Sequence, residues 1–300
     1  MKKIINQKRV SVVVLFLMFF ALSNQLLAQK TVPAEFNVHA AGAFSTYLQP
    51  AFEGSSVGYN GDFGLGFTGF FSRNVGINIG LGLGFFNIKS TVTGLETNIK
   101  HGLDDKVNNL KYDLYTTLSN YTEVHKPLFL NIPIMLVFQT QKDQQWSWKQ
   151  SQRPSFYLIC GAKALLLFNN KYEVSVDTIT NKAYYPALNN WATTQEFAGL
   201  GSFNNEGAGY KSSGKMEFGI IVAAAIELGV KWRTEGSVAI YTGAFFDFGF
   251  PIKDNRTPYE EYISEEKLKN ATLMKFADTY LMTAGIRVRI AFSKRQTSRY

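Results

Sequence analysis

The sequence predicts an all-β chain closing into a transmembrane antiparallel up-and-down barrel of eight strands with long extracellular loops. Three observations predict it. Segment after segment alternates apolar residues with small or polar ones, so one face of each meets an apolar medium and the other something wet or charged. Aromatic residues make up 15% of the 300, and the 25 glycines cluster at alternating positions. Beyond the amino terminus no run approaches the roughly 18 uninterrupted apolar residues of a membrane helix.

The last strand, Asp278 to Phe292, organises the rest. Tyr280, Met282, Ala284, Ile286, Val288, Ile290 and Phe292 share one almost wholly apolar face. Thr279, Leu281, Thr283, Gly285, Arg287, Arg289 and Ala291 share the other. In a soluble sandwich the apolar face would point inward. Aromatic ends on an apolar band of lipid-spanning length reverse it, turning that face to the bilayer and the arginines into a lumen.

Residues 1–28 read as a signal peptide. Lys2, Lys3, Lys8 and Arg9 precede an apolar run, Val10 to Leu22, too short to span a bilayer. Cleavage after Ala28 implies Sec export, although Leu26 departs from the usual small residue. The segment carries four positive charges and no acid, so the formal net charge falls from +8 to +4. That modest value, and the lack of a dense Lys/Arg run interleaved with aromatics, argue against nucleic acid. The single Cys160 excludes an internal disulfide.

Residues 29–33 form a short leader, and the barrel occupies 34–292. Strand one runs from about Glu35 to Gln49 and strand two from Val57 to Ser72. Strand three follows a tight turn at Arg73-Asn74. The Gly64–Gly69 stretch spells GxGxxG, but alternation runs straight through it and no helix follows, so no cofactor is expected. Inward glycines are expected to leave space for bulky side chains of the opposite wall. Thr91 to about Tyr121 is polar and reads as an irregular loop with room for one short helix.

Strand four is clearest: Leu128, Leu130, Ile132, Ile134, Leu136 and Phe138 alternate with Phe129, Asn131, Pro133, Met135 and Val137. Pro133 lacks a donor and reads as a bulge. A polar turn with Trp146 and Trp148 leads to strand five, Ser155 to Val174, and a loop from Ser175 to Ser213 follows. Strand six turns Met216, Phe218, Ile220, Val222, Ala224, Ile226, Leu228, Val230 and Trp232 outward. Strand seven sets Val238, Ile240, Ala244, Phe246 and Phe248 against inward Tyr241, Phe245 and Asp247. A loop from Lys253 to Lys275, helical around Glu260 to Leu268, returns to the closing strand. Short turns thus lie at one end and long loops at the other. Eight strands is an even count that leaves both termini periplasmic; ten is the alternative.

The segment Phe129 to Val137 is similar to the apolar strand with an internal IPxxL signature found in PorT-like outer-membrane β-barrel proteins. Here the signature falls on Asn131, Ile132, Pro133 and Leu136. The resemblance covers most of the mature chain and extends to small OmpA/OmpX-type barrel architecture. It implies an outer-membrane location and no particular chemistry. It also implies an aromatic assembly signal, which Phe292 or Tyr300 could supply, because a basic tail, 293–300, follows the closing strand. Expected partners are outer-membrane lipid and lipopolysaccharide, the barrel-assembly machinery, and an extracellular or periplasmic protein.

Parity places Lys163, Glu217, Glu227, Asp247, Arg287 and Arg289 inside the lumen as a charge network. The leading reading is a non-enzymatic barrel with a side-chain-filled lumen, acting structurally or through its extracellular loops. Alternatives are a membrane-embedded lipid-modifying enzyme, an accessory component of protein secretion, and a soluble ligand-binding barrel. The enzyme would need a histidine beside a serine or carboxylate. His39 projects into the lumen, His101 reads as a loop residue, and His125 lies near an outer strand end beside Glu123. No metal-ligand spacing is present, so neither metal nor cofactor is expected.

Overall fold

A computed structural model describes residues 34–48, 54–72, 74, 75–105, 109–140, 154–192, 210–215, 219–234, 237–250 and 279–293. The signal segment, Trp146, Trp148, Met216 to Phe218, the loop from Lys253 to Lys275 and Tyr300 lie outside them.

Among the described residues eleven strands follow in order: β1 (Ala34–Leu48), β2 (Gly54–Phe70), β3 (Val75–Asp105), β4 (Leu110–Gln139), β5 (Ser155–Val176), β6 (Thr178–Tyr185), β7 (Asn190–Ala192), β8 (Tyr210–Lys215), β9 (Ile220–Arg233), β10 (Val238–Gly249) and β11 (Tyr280–Ser293). Eight of them form an antiparallel ring, β1-β2-β3-β4-β5-β9-β10-β11, because β4 also pairs with β5. The seam is β1 on β11, in continuous register from Glu35–Ser293 to Leu48–Tyr280. No edge is left within the ring, which satisfies every strand's backbone from both sides.

Burial follows the alternation. In β11, Leu281, Thr283, Arg287, Arg289 and Ala291 are buried, while Ala284, Ile286, Val288, Ile290 and Phe292 are exposed. In β4 the buried and outward sets of the lower half divide in the same way. Large apolar side chains stand on the outside, including Phe63, Leu83, Ile134, Leu228 and Ile286.

Above the ring the structure departs from the sequence reading. Thr91 to Tyr121 is strand rather than loop or helix where described, with the ladder shifting register between Asn98 and Lys100 and between Lys100 and Leu103. It is the upper part of a long β3–β4 hairpin, turning near Asn109 at φ 52°. The segment carries five Thr and three Tyr and so is competent to form strands. Its sequence lacks the strict apolar-polar alternation of the lower strands, which hid it. His101 accordingly lies in β3. The stretch from Ser175 to Ser213 likewise contains β6, β7 and β8. β6 pairs with β4 from Asp113–Tyr184 to Ser119–Thr178, β7 pairs with β6, and β8 pairs with β5.

Pro133 is not a bulge. It sits opposite Lys163 with no change of register, and its ring packs over Gly80. The irregularity lies higher, where Lys126 pairs with Lys171 but Leu128 with Phe168. The extra residue belongs to β5, at Asn169, whose φ of 51° is a left-handed conformation that asparagine tolerates. Below it odd residues of β5 point inward; above it Tyr172, Val174 and Val176 do.

The inward glycines make room chiefly for adjacent strands rather than for the opposite wall. A Cβ on Gly84 would lie 2.6 Å from the Gly61 carbonyl oxygen and against the Phe129 ring, whose strand is its neighbour.

Candidate functional site in the barrel interior

The inward side chains of the described residues lie in alternating polar and apolar layers, and the sequence of each strand sets their order. Reading up β4, the inward residues are Gln139, then Val137 and Met135, then Pro133 and Asn131, then Phe129 and Pro127, then His125 and Glu123.

At the end with short turns, Lys231 donates to Glu35 Oε1 at 2.7 Å and to Gln139 Oε1 at 3.0 Å. Tyr241 Oη donates to Glu35 Oε2 at 2.5 Å. The Lys231 ammonium also lies 4.8 Å from the Tyr241 ring centroid, within cation–π range. An apolar layer follows, with Phe70, Met135, Val137, Tyr157 and Ile159.

The central layer carries most of the charge. Glu227, 1% exposed, accepts from Arg287 Nη1 at 2.6 Å, from Arg289 Nη2 at 3.2 Å and from Tyr157 Oη at 2.8 Å. Lys163 donates to both oxygens of Asp247, at 2.7 and 2.8 Å. Asp62 accepts from Asn131 Nδ2 at 3.0 Å and lies 3.8 Å from both His39 Nε2 and Arg287 Nη2. Phe245 is shared: Arg287 stands 4.5 Å and Lys163 5.1 Å from its ring centroid. A cavity of about 20 Å³ adjoins Asp62, Asn131, Asp247, Thr283 and Arg287, a volume suited to one water molecule.

A second apolar layer covers it, built by Tyr47, Phe86, Phe129, Leu165, Ile221 and Leu281. Above that, Glu123 and His125 are sealed at 1% exposure or less. Tyr121 Oη donates to Glu123 Oε2 at 2.7 Å, and the His125 Nε2 atom pairs with the other carboxylate oxygen. Tyr47 and Tyr172 flank the imidazole, with ring centroids 5.9 and 6.3 Å away.

The structure therefore brings Glu227, Arg287 and Arg289 into one cluster and Lys163 and Asp247 into another beside it. Glu217 lies outside the described residues. Among the signature residues, Asn131 and Pro133 are buried inside, whereas Ile132 and Leu136 face outward. Phe292 is outward and paired with Phe36 and Val238. His125 stands within β4 rather than near a strand end, because β4 continues well above it.

Sequence reasoning left Glu35, Asp62 and Lys231 out of the network. Parity alone would have found Glu35, which alternates with inward Asn37 and His39. Among the described residues the four acids Glu35, Asp62, Glu227 and Asp247 face the four bases Lys163, Lys231, Arg287 and Arg289, so their charges balance in the lower interior. A carboxylate engaged by arginine or lysine is a poor base or metal ligand. Among the described residues no group of three His, Cys, Asp or Glu side chains could hold a metal ion.

No family model matches the sequence, and no curated protein matches it. Solved structures similar to the chain include Neisserial surface protein A, at 13% identity and a TM-score of 0.31, covering 86% of this chain and 97% of that one. Another is Ail, the attachment invasion locus protein of Yersinia pestis, at 11% identity and a TM-score of 0.28, covering 86% of this chain and 99% of that one. Likeness at this level assigns no role to any residue here.

Proposed function

We propose that the chain is an integral outer-membrane barrel, exported with cleavage after Ala28, whose lumen is plugged by its own side chains. The observation that carries this is the outward band on β4. From Leu128 to Phe138 every second residue is apolar and faces out, over the nine to eleven residues that a tilted strand needs to cross a bilayer. Lys126 stands immediately above that band and Thr140 immediately below. In water an apolar belt running round the ring would far exceed the few hundred Å² that soluble proteins tolerate.

The role is non-enzymatic. The upper β3–β4 hairpin with β6 and β7 stands clear of the band on the long-loop side, and it presents the chain to a partner outside the cell. The enzyme reading would place His125 with Glu123, but both are sealed beneath Tyr121 and Tyr172 and no substrate carbonyl reaches them. The PorT-like strand signature supports barrel identity; a part in secretion would have to act through the same exterior surface.

The test is fractionation followed by gel migration with and without heating. Outer-membrane recovery with a heat-shifted band is the expected result. Recovery as a soluble periplasmic protein would sink the membrane reading.

A further inference from the structure

A lysine row crosses the outer surface of the barrel at one level. Lys126 on β4 lies directly opposite Lys171 on β5, whose own backbone partner on β8 is Lys215. Lys89 on β3 is a diagonal neighbour, since it pairs with Val124, two residues from Lys126. Lys89, Lys126 and Lys171 are all exposed on the outside. Like charges directly opposite one another destabilise a strand pair, so the arrangement is costly unless an anion sits between them. Only one carboxylate among the described residues answers it. Glu173 accepts from Lys126 at 2.8 Å, at an exposed position.

Two further observations say what kind of anion fits. The row stands one step above Phe85, Leu128 and Phe168, which are in register with each other and face outward. Cationic heads therefore crown the apolar band at the long-loop end, level with the paired Tyr59 and Asn87. The bulge at Asn169 also has a consequence here. Without the extra residue, Lys171 would share the inward parity of Leu165 and Leu167; with it, Lys171 turns out beside Lys126.

We propose that this row binds the phosphate groups of a phosphorylated acyl glycolipid of the outer leaflet, of the lipid A class. Its acyl chains would lie on Phe85, Leu128 and Phe168 while its phosphates bridge Lys126 and Lys171. The proposal rests on the reading of the outward band as lipid-facing. The docked molecule is a lipid rather than a protein because the charges are continuous with that band, and not with the projecting sheet.

The purified protein, folded in detergent micelles as judged by heat-modifiable migration, is titrated with bisphosphorylated lipid A, dephosphorylated lipid A and phosphatidylglycerol. Bound lipid is counted by native mass spectrometry. The expected result is preferential binding of the bisphosphorylated form, weakened about tenfold to thirtyfold in a Lys126→Gln/Lys171→Gln variant, the scale of two lysine charges at an anionic lipid surface. A Lys126→Arg/Lys171→Arg variant should retain it. Equal binding by wild type and glutamine variant, or equal binding of phosphatidylglycerol, overturns the site. A wild type with no heat-modifiable form overturns the barrel reading beneath it, and the two failures are read from separate measurements.

Discussion

Glu227 and Arg287 meet at 2.6 Å across β10, the strand that lies between theirs, with Phe245 of that strand packed against the guanidinium. The contact ties together two strands that share no ladder. It also fixes Arg289, which reaches the same carboxylate, and Tyr157, which donates to it from β5. One acid on β9 thus holds side chains from two other strands.

Breaking that contact should be costly from either side. Arg287→Ala leaves a buried carboxylate with reduced compensation and should destabilise the protein by about 3–5 kcal/mol. Glu227→Ala strands two arginines and should cost at least as much. The double variant should lose less than the sum of the two, because the partners share one interaction. Urea titrations of protein refolded into vesicles measure all three, and strict additivity would contradict a coupled pair.

Depth in the bilayer should govern the outer face. Val222 faces outward and is in register through Ala164 with Ile132, near the middle of the β4 band. Val222→Arg should cost about 2–4 kcal/mol, whereas the same change at Val230, beside Trp232, should cost about 0–1 kcal/mol. Equal losses at both depths in the same titration would argue against a lipid-facing band.

Two glycines separate the demands of the ladder from those of the lipid face. Gly84→Ala would force its new methyl group against the Gly61 carbonyl oxygen at 2.6 Å and against the Phe129 ring. It should cost about 1–3 kcal/mol, the usual range for overpacking. Nothing lies within 4 Å of a Cβ on Gly42, on the outer face of β1, so Gly42→Ala should stay within about 0.5 kcal/mol of wild type. Comparable losses at both would mean that the interior is not packed as tightly as the geometry indicates.

How much of this was legible follows from the medium on each side of a strand. Where one face is outward and apolar and the other inward, as in β4 and β11, period-two alternation is strong and the sequence places nearly every side chain correctly. Above the apolar band that contrast vanishes, and the strands from Thr91 to Tyr121 read as loop although their Thr and Tyr content suits a sheet. The Asn169 bulge was invisible for a different reason. A single inserted residue shifts parity without changing composition, and Pro133 drew attention to the wrong level. Within the interior, parity gave the inward set, but which acid meets which base depends on strand stagger, which the sequence does not print. Hence Glu35, Asp62 and Lys231 were missed as partners.

The last prediction concerns conduction. An eight-stranded barrel encloses a section just wide enough for side chains to fill. Here the charged central layer lies between two apolar ones, Met135, Val137 and Tyr157 beneath it and Phe129, Leu165, Ile221 and Leu281 above. An ion would have to shed its hydration at three successive levels, and only the central one offers counter-charges, already engaged with each other. Wild-type protein in planar bilayers should therefore show no steady conductance. The Glu227→Ala/Arg287→Ala variant should also stay closed, since removing the central pair leaves both apolar layers in place. Adding Phe129→Ala and Leu281→Ala to that variant should open transient conductance by emptying the layer above. Steady conductance from the wild type would sink the plugged-lumen proposal. Conductance from the double variant alone would show that the ionic layer by itself is the barrier, and that the apolar layers contribute little.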